Sequence, residues 1–178
     1  MSVIELNSEI IENQLFDIAQ KMIIAAQTAP KARGLNCLKA TIINKETIEM
    51  VAFEMKKIAI EHNLHFFERD ANSILKSPVI VLIGCTINPV GLSYCGYCGL
   101  ENCTQKNQSK NVPCAFNLTD LGIAIGSAVS VASNFHIDNR VMFSVGKAAM
   151  NIGIVDDDIK VLYGIPLSVS SKNIFFDR

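Results

Sequence analysis

The chain has 178 residues and a net charge of -1, from 16 lysines and arginines against 17 aspartates and glutamates. This length is typical of one domain, and we expect a single domain over residues 1–178. Because 49% of the residues are hydrophobic and 19% are charged, the composition excludes a disordered chain and gives no basic surface for nucleic acid.

The first half of the chain alternates between helical and strand patterns. Apolar residues recur every three or four positions from Ser8 to Thr28, which predicts an amphipathic helix ended by Pro30. The apolar run at 79–84 lies between Pro78 and Gly84 and is typical of a central strand buried on both faces. Further predicted elements are a strand at 39–44, a helix at 47–62 and a strand at 64–68.

The second half begins with a segment, residues 85–117, that has few apolar residues and no periodicity. After it, Thr119 and Asp120 are typical N-terminal residues for a buried helix at 121–133, rich in Gly, Ala and Ser. A helical piece at 147–152 and a last strand at 159–165 follow. We therefore expect an α+β fold, with a central sheet flanked by helices and an inserted cysteine-rich loop at 85–117.

The N-terminal residues lack the basic, apolar and small-residue regions of a secretory signal, so the sequence predicts a cytoplasmic protein with reduced thiols. The apolar stretches at 79–84 and 121–132 are shorter than the roughly 20 residues that cross a bilayer. We expect no membrane association. The apolar pair Phe175 and Phe176 near the C-terminus is expected to dock on a partner subunit or over a cofactor pocket.

Four of the six cysteines lie in the predicted loop, with the spacing Cys95-x2-Cys98-x4-Cys103-x10-Cys114. Four thiolates suit either tetrahedral zinc or an iron–sulfur cluster. Zinc ribbons usually have two Cys-x2-Cys pairs, whereas this loop has one pair, a close third cysteine and a distant fourth. The spacing favours an iron–sulfur cluster, with structural zinc and uncoordinated thiols as alternatives. Cys37 and Cys85 stand apart and are predicted to be packing residues.

Several sequence blocks resemble the prokaryotic family of ferredoxin-domain-containing proteins. The blocks are KARG at 31–34, RDA at 69–71, CGYCGLENC at 95–103, DLGIAIGSAV at 120–129, DNRVMFSVG at 138–146 and GIPLSVSSKNIFFDR at 164–178. The resemblance covers nearly the whole chain. For a cluster held by the four cysteines, we expect the 4Fe–4S type in preference to 2Fe–2S.

The order of elements is more distantly similar to the FMN-dependent nitroreductases. The resemblance depends on a helix ending in AAQTAP at 25–30, a polar loop to Asn36, the small-residue helix, and a strand ending in Gly-Ile-Pro at 164–166. It implies a nitroreductase-like fold, a homodimer and FMN. By position, it assigns Lys31, Arg33 and Asn36 to the flavin and Lys172 to its phosphate.

These patterns predict an iron–sulfur redox protein, in which a flavin or nicotinamide donor passes electrons to an acceptor that the sequence does not identify. No catalytic side chain is predicted, so an oxidoreductase activity follows only if a flavin binds. Two other functions are open: a non-catalytic dimeric scaffold with a zinc-ordered loop, and a thiol-redox enzyme using the Cys95-Gly-Tyr-Cys98 pair.

Overall fold

The computed structural model describes residues 5–176; residues 1–4 and 177–178, which the predicted domain and the C-terminal block include, lie outside this range. The helices of the described range are α1 (Ser8–Thr28), α2 (Lys45–His62), α3 (His65–Ile74), α4 (Cys103–Gln108), α5 (Ala115–Asn134) and α6 (Phe143–Asn151). Its strands are β1 (Leu38–Ile43), β2 (Val79–Cys85), β3 (Asp138–Asn139) and β4 (Val161–Ser168).

The strands form one antiparallel sheet in the order β1-β2-β4-β3. Leu38 of β1 lies opposite Cys85 of β2, and Cys85 lies opposite Val161 of β4. We call this edge of the sheet the cysteine end. The opposite end is where Val79 of β2 pairs with Leu167 of β4.

Strand β2 is buried at every position, as the sequence predicts. Because successive side chains of a strand point to opposite faces, Val81 and Ile83 pack with α1 and α5, whereas Ile80 and Leu82 pack with α2, α3 and α6. The sheet thus separates two apolar cores, and the predicted α+β fold with helices on both faces is confirmed.

Helices α1 and α2 match their predicted spans closely, and local chemistry explains why they begin and end there. The side chain of Asn7 accepts a hydrogen bond from the Ile10 amide at 2.9 Å, and that of Asn44 accepts one from the Thr47 amide at 3.3 Å. Both are N-caps. Helix α2 ends at Asn63, which takes the left-handed conformation common at helix C-termini.

The strand predicted at 64–68 is wrong, because helix α3 begins there at His65. The residues that α3 buries are Phe67, Asp70, Ala71 and Ile74, which follow helical spacing. The buried carboxylate of Asp70 hides that pattern from a purely apolar count.

Helix α5 begins six residues before the predicted start, so Thr119 and Asp120 are not its N-terminal cap. Cys114 occupies the N-cap position instead. The Asp120 side chain is buried, and its Oδ2 accepts a hydrogen bond from the Ala32 amide at 3.0 Å. This carboxylate fixes the loop after α1 to the second turn of α5.

The C-terminal segment packs on its own chain. Phe175 is buried in the core beneath α2, α3 and α6, and its carbonyl accepts a hydrogen bond from Arg140 Nη1 at 3.0 Å. The predicted docking of Phe175 on a partner subunit is therefore wrong, whereas docking of the tail over a cofactor pocket stays a prediction.

Candidate functional site

The cysteine-rich segment leaves the sheet at Cys85 and returns to it at α5, at the cysteine end. The Cys114 amide donates to Ile87 O at 3.4 Å. Asn117 of α5 also holds the two ends of the segment together, since its Nδ2 donates to Thr86 O at 3.0 Å and Asn88 O at 2.8 Å. Cys37, which precedes β1, accepts at its carbonyl from the Thr86 amide at 3.0 Å. All six cysteines thus belong to segments at one end of the sheet.

The Cys95-x2-Cys98 pair lies in a tight turn against the start of α5. The Gly99 amide donates to Gly96 O at 2.9 Å, and both glycines have positive φ angles of 83° and 93°, a conformation that favours glycine. The Tyr97 ring within this turn stacks on Phe116, with centroids 5.6 Å apart and planes 8° from parallel. Phe116 lies two residues after Cys114, so the stack sets the turn beside the helix that carries the fourth cysteine.

Cys103 is the first residue of α4, whose start is capped by Asn102. Its Sγ lies 3.9 Å from Leu92 O, as a weak thiol donor would. Cys95, Cys98 and Cys103 are half-buried and Cys114 is buried, and none of these thiols is in a disulfide. Within residues 5–176, no three His, Cys, Asp or Glu side chains are grouped so that they could hold a metal ion. The four-cysteine site therefore stays a prediction.

Cys37 and Cys85, predicted to be packing residues, lie in or against the core between the sheet, α1 and α5. Burial, together with smaller effects of the nearby Cys37, Asp120 and Cys114, raises the pKa of the Cys85 thiol to about 12. Burial also raises the pKa of the Cys37 thiol, and the negative charge of Asp120 contributes a smaller effect in the same direction. These groups are close enough for their charges to interact, so the structure places Cys114 near Cys37 and Cys85, a neighbourhood that the sequence spacing does not indicate.

The raised pKa predicts that Cys85 resists alkylation in the folded protein. At pH 8, a thiol with a pKa of about 12 is a thiolate in only about one molecule in ten thousand. Unfolding restores the ordinary pKa near 8.5, so rising pH above that value favours the unfolded state. Mass spectrometry after iodoacetamide treatment should show unmodified Cys85 in native protein and full modification in guanidinium. Rapid native modification would contradict the burial.

The residues assigned to a flavin from the loop after α1 are engaged in holding that loop. Lys31 Nζ donates to the carbonyls of Ala26 at 3.2 Å, Gln27 at 2.8 Å and Ala29 at 2.8 Å. All three donors of this ammonium are therefore used at the C-terminus of α1. Arg33 has a left-handed φ of 58°, and its Nη1 donates to Val90 O at 3.1 Å and Gly91 O at 3.2 Å. It ties the α1–β1 loop to the cysteine-rich segment.

Asn36 and Lys172, the other two residues assigned to a flavin, lie at opposite ends of the sheet. Asn36 Oδ1 accepts from the Leu38 amide at 3.2 Å, at the cysteine end. Lys172 is exposed and follows the last residue of β4, Ser168, at the opposite end. Seven strand residues span about 20 Å. Within one chain, the structure does not bring Lys172 together with Lys31, Arg33 and Asn36.

Asn117 is a buried residue of this region that the sequence did not single out. Both donors of its amide group are used on the segment after β2, but its Oδ1 is buried and has no hydrogen-bond partner. Such an orphaned acceptor is uncommon in a folded protein. Its only sequence signal is the helical spacing of Asn117, Asp120, Leu121 and Ala124, which are all buried on one face of α5.

Helix α5 has 20 residues with a mean hydropathy of 1.4 over its most apolar window, so by length and composition it could cross a membrane. The sequence analysis considered only the apolar stretch at 121–132, which is shorter than the helix itself. Core helices of soluble proteins meet the same criteria, and α5 packs one face on α1 and β2. A helix of this kind is weak evidence for a span.

The chain is similar to a family of proteins and to one archaeal relative. A sequence model of the family described as "Uncharacterized protein containing a ferredoxin domain (DUF2148)" matches residues 110–178. An "Uncharacterized protein" of Archaeoglobus fulgidus is 38% identical over 182 residues, which cover 97% of each chain.

Several solved structures with a similar fold are nitroreductases. A nitroreductase family protein from Clostridium novyi NT is 13% identical, with a TM-score of 0.59 over 99% of this chain and 80% of that one. A nitroreductase with bound FMN from Desulfitobacterium hafniense DCB-2 is 15% identical, with a TM-score of 0.59 over 94% and 81%. These likenesses establish a nitroreductase-like fold, and by its sequence the chain belongs to the family of proteins that contain a ferredoxin domain.

Proposed function

We propose that this protein is a cytoplasmic redox protein whose cysteine-rich loop holds an iron–sulfur cluster through Cys95, Cys98, Cys103 and Cys114. Membership of a ferredoxin-domain family and a fold found in flavin oxidoreductases both support a redox role in general. The observation that carries the proposal is the stack of Tyr97 on Phe116, which holds the Cys95-x2-Cys98 turn beside the helix capped by Cys114.

The donor set fits such a cluster chemically. Four cysteine thiolates are the usual ligands of both 2Fe–2S and 4Fe–4S clusters, and all four thiols here are free. Of the two types we propose 4Fe–4S, which would supply one-electron transfer when bound. The chain's own contribution is to fix the loop. Arg33 donates hydrogen bonds to the carbonyls of Val90 and Gly91, and Asn117 donates one to the carbonyl of Thr86.

A flavin fits the described residues less well. The ammonium of Lys31 has no donor left for a ligand, and Lys172 lies at the far end of the sheet from Asn36. The four assigned residues do not form one FMN site within a chain. A single FMN site that uses all four residues would need Lys172 from a second copy, and the proposed function does not depend on FMN.

We also propose that the protein is a homodimer formed through the free face of α5. Only 39% of the most apolar window of this helix is buried within the chain, and Leu118 and Ile123 are exposed. A large uncovered apolar face is typical of a subunit interface. Ile123→Glu should convert a dimer to a monomer in sedimentation equilibrium, whereas Ile60→Glu on the exposed side of α2 should not. A wild-type monomer would contradict the proposal.

The cluster is tested on protein purified without oxygen. Iron and acid-labile sulfide should be present in matching amounts, with broad visible absorption that bleaches on reduction by dithionite. Released flavin would be recognised separately by its fluorescence after acid treatment. Colourless protein with stoichiometric zinc would contradict the proposal and favour the zinc-ordered dimeric scaffold.

A further inference from the structure

Beside the cysteine-rich loop lies a second feature, a cavity of about 280 Å³ that the redox proposal does not use. It lies where three segments meet: the residues after β2, helix α4 with its following turn, and the residues before β4. We call it the lysine cavity. Its charged and amide lining residues are Asn88, Lys106, Asn107, Lys110, Asp158 and Lys160.

Lys106 is the unusual member of this lining. It is only 3% exposed, yet its ammonium has no hydrogen bond or ion pair with any of residues 5–176. The stem of this lysine is buried, whereas its ammonium lines the cavity and is reached by solvent there. Lys106 therefore presents a positive charge to an anion that enters the cavity.

The other charged residues around the cavity are also mostly positive. Lys110 and Lys160 add two ammonium groups, and Asp158 is the carboxylate that lines it. The neighbouring Asp156 is already paired with Lys39, at 2.7 Å between Nζ and Oδ2. Three positive groups thus face one negative group.

The walls of the cavity are held in place by backbone and buried side-chain contacts. Asn117 Nδ2 fixes the carbonyl of Asn88 at 2.8 Å. The Lys160 amide donates to Cys85 O at 3.0 Å, which fixes the segment before β4 to the end of β2. The Ser109 amide donates to Lys106 O at 3.0 Å, which closes the turn after α4. A ligand would therefore meet a backbone frame that is already fixed, which reduces the entropy lost on binding.

We propose that the lysine cavity binds the phosphate group of a small phosphorylated molecule. Lysine binds phosphate as a point charge, and several ammonium groups around one concave site suit an oxyanion with several acceptors. A volume of about 280 Å³ is just below the usual 300–1,000 Å³ of sites for drug-sized ligands. It holds one or two phosphate groups, with the rest of a larger molecule outside.

The site is tested by isothermal titration calorimetry of the full chain, purified without oxygen, with inorganic phosphate, pyrophosphate and AMP. We expect one saturable site whose affinity falls as salt rises. Tighter binding of AMP than of phosphate identifies a phosphate ester as the ligand, and equal binding identifies inorganic phosphate.

Two variants and one control locate the site. Lys106→Met should raise the dissociation constant for phosphate by about tenfold or more, because a hydrogen-bonded charge is lost. Lys160→Gln, an exposed position that leaves the fold intact, should raise it by a smaller factor. Lys76→Met, at an exposed position after α3, should leave it unchanged.

Three results would overturn the proposal. These are the absence of saturable binding by wild-type protein, binding that Lys106→Met and Lys160→Gln leave intact, and equal weakening by Lys76→Met. Since the measurement is binding heat and needs no cluster signal, failure here is distinct from failure of the redox proposal.

Discussion

Cys98→Ser is expected to remove the visible absorption and nearly all of the iron and sulfide from protein purified without oxygen. Cys98 is half-buried in the turn that Tyr97 holds against α5. A serine hydroxyl is a hard, protonated group at neutral pH and replaces a soft thiolate poorly as a ligand of iron and sulfide. Loss of one of four ligands also loosens the loop, because few apolar contacts order it.

The matched control is Cys37→Ser, which changes a half-buried cysteine at the same end of the sheet but outside the proposed ligand set. It should retain the wild-type iron and sulfide content. If Cys37→Ser loses the cluster and Cys98→Ser keeps it, the ligands lie among Cys37, Cys85 and Cys114 instead. Cys114 interacts electrostatically with Cys37 and Cys85. The two variants therefore show whether Cys114 shares its ligand set with the loop cysteines or with Cys37 and Cys85.

The same comparison illustrates how far a sequence predicts a site of this kind. Spacing along the chain groups Cys95, Cys98, Cys103 and Cys114, because ligands in one loop reach each other without help from the fold. The approach of Cys37 to Cys85 depends instead on the pairing of β1 with β2. The approach of Cys114 depends on where α5 begins. Such contacts between distant segments leave no periodic pattern in a single sequence.

Secondary structure was predictable where one physical signal dominates. Strand β2 is a continuous apolar run between Pro78 and Gly84, and α1 has an unbroken helical stripe. The prediction failed for α3, where the buried Asp70 interrupts the apolar pattern. Ser144 Oγ donates to Asp70 Oδ2 at 2.7 Å and Arg69 Nη2 lies 2.8 Å from Oδ1, so tertiary partners make that burial tolerable.

Lys31 shows why the role of a single residue is harder to predict than its element. By resemblance it is a flavin ligand, and by contact it is a helix cap whose three donors bind carbonyls of α1 and its end. Both roles use the same position after an Ala-Pro step. Only the direction of the side chain distinguishes them, and that direction is set by the bend of the loop around Arg33 and Gly34.

Gly146→Ala is expected to destabilise the folded protein by about 3 kcal/mol, at the upper end of the usual cost of overpacking. Helix α6 lies so close to β4 that a Cβ at Gly146 would be 1.8 Å from Leu162 O and 2.4 Å from Leu162 C. These are backbone atoms of a paired strand, which cannot rotate away as a side chain could. Moving α6 outward would instead separate Ser144 from the buried Asp70 carboxylate, with which it forms a hydrogen bond.

Gly126→Ala is the control for this effect, since a Cβ at Gly126 in α5 meets no atom within 4 Å. Alanine in place of a helical glycine with open space is expected to stabilise the chain by about 0.5–1 kcal/mol. Urea denaturation of both variants measures the two changes against the wild type. A Gly146→Ala protein as stable as the wild type would show that α6 and β4 are not packed backbone to backbone. A loss of stability in Gly126→Ala would contradict the open space at this glycine and would indicate that another group, such as a second copy, packs against it.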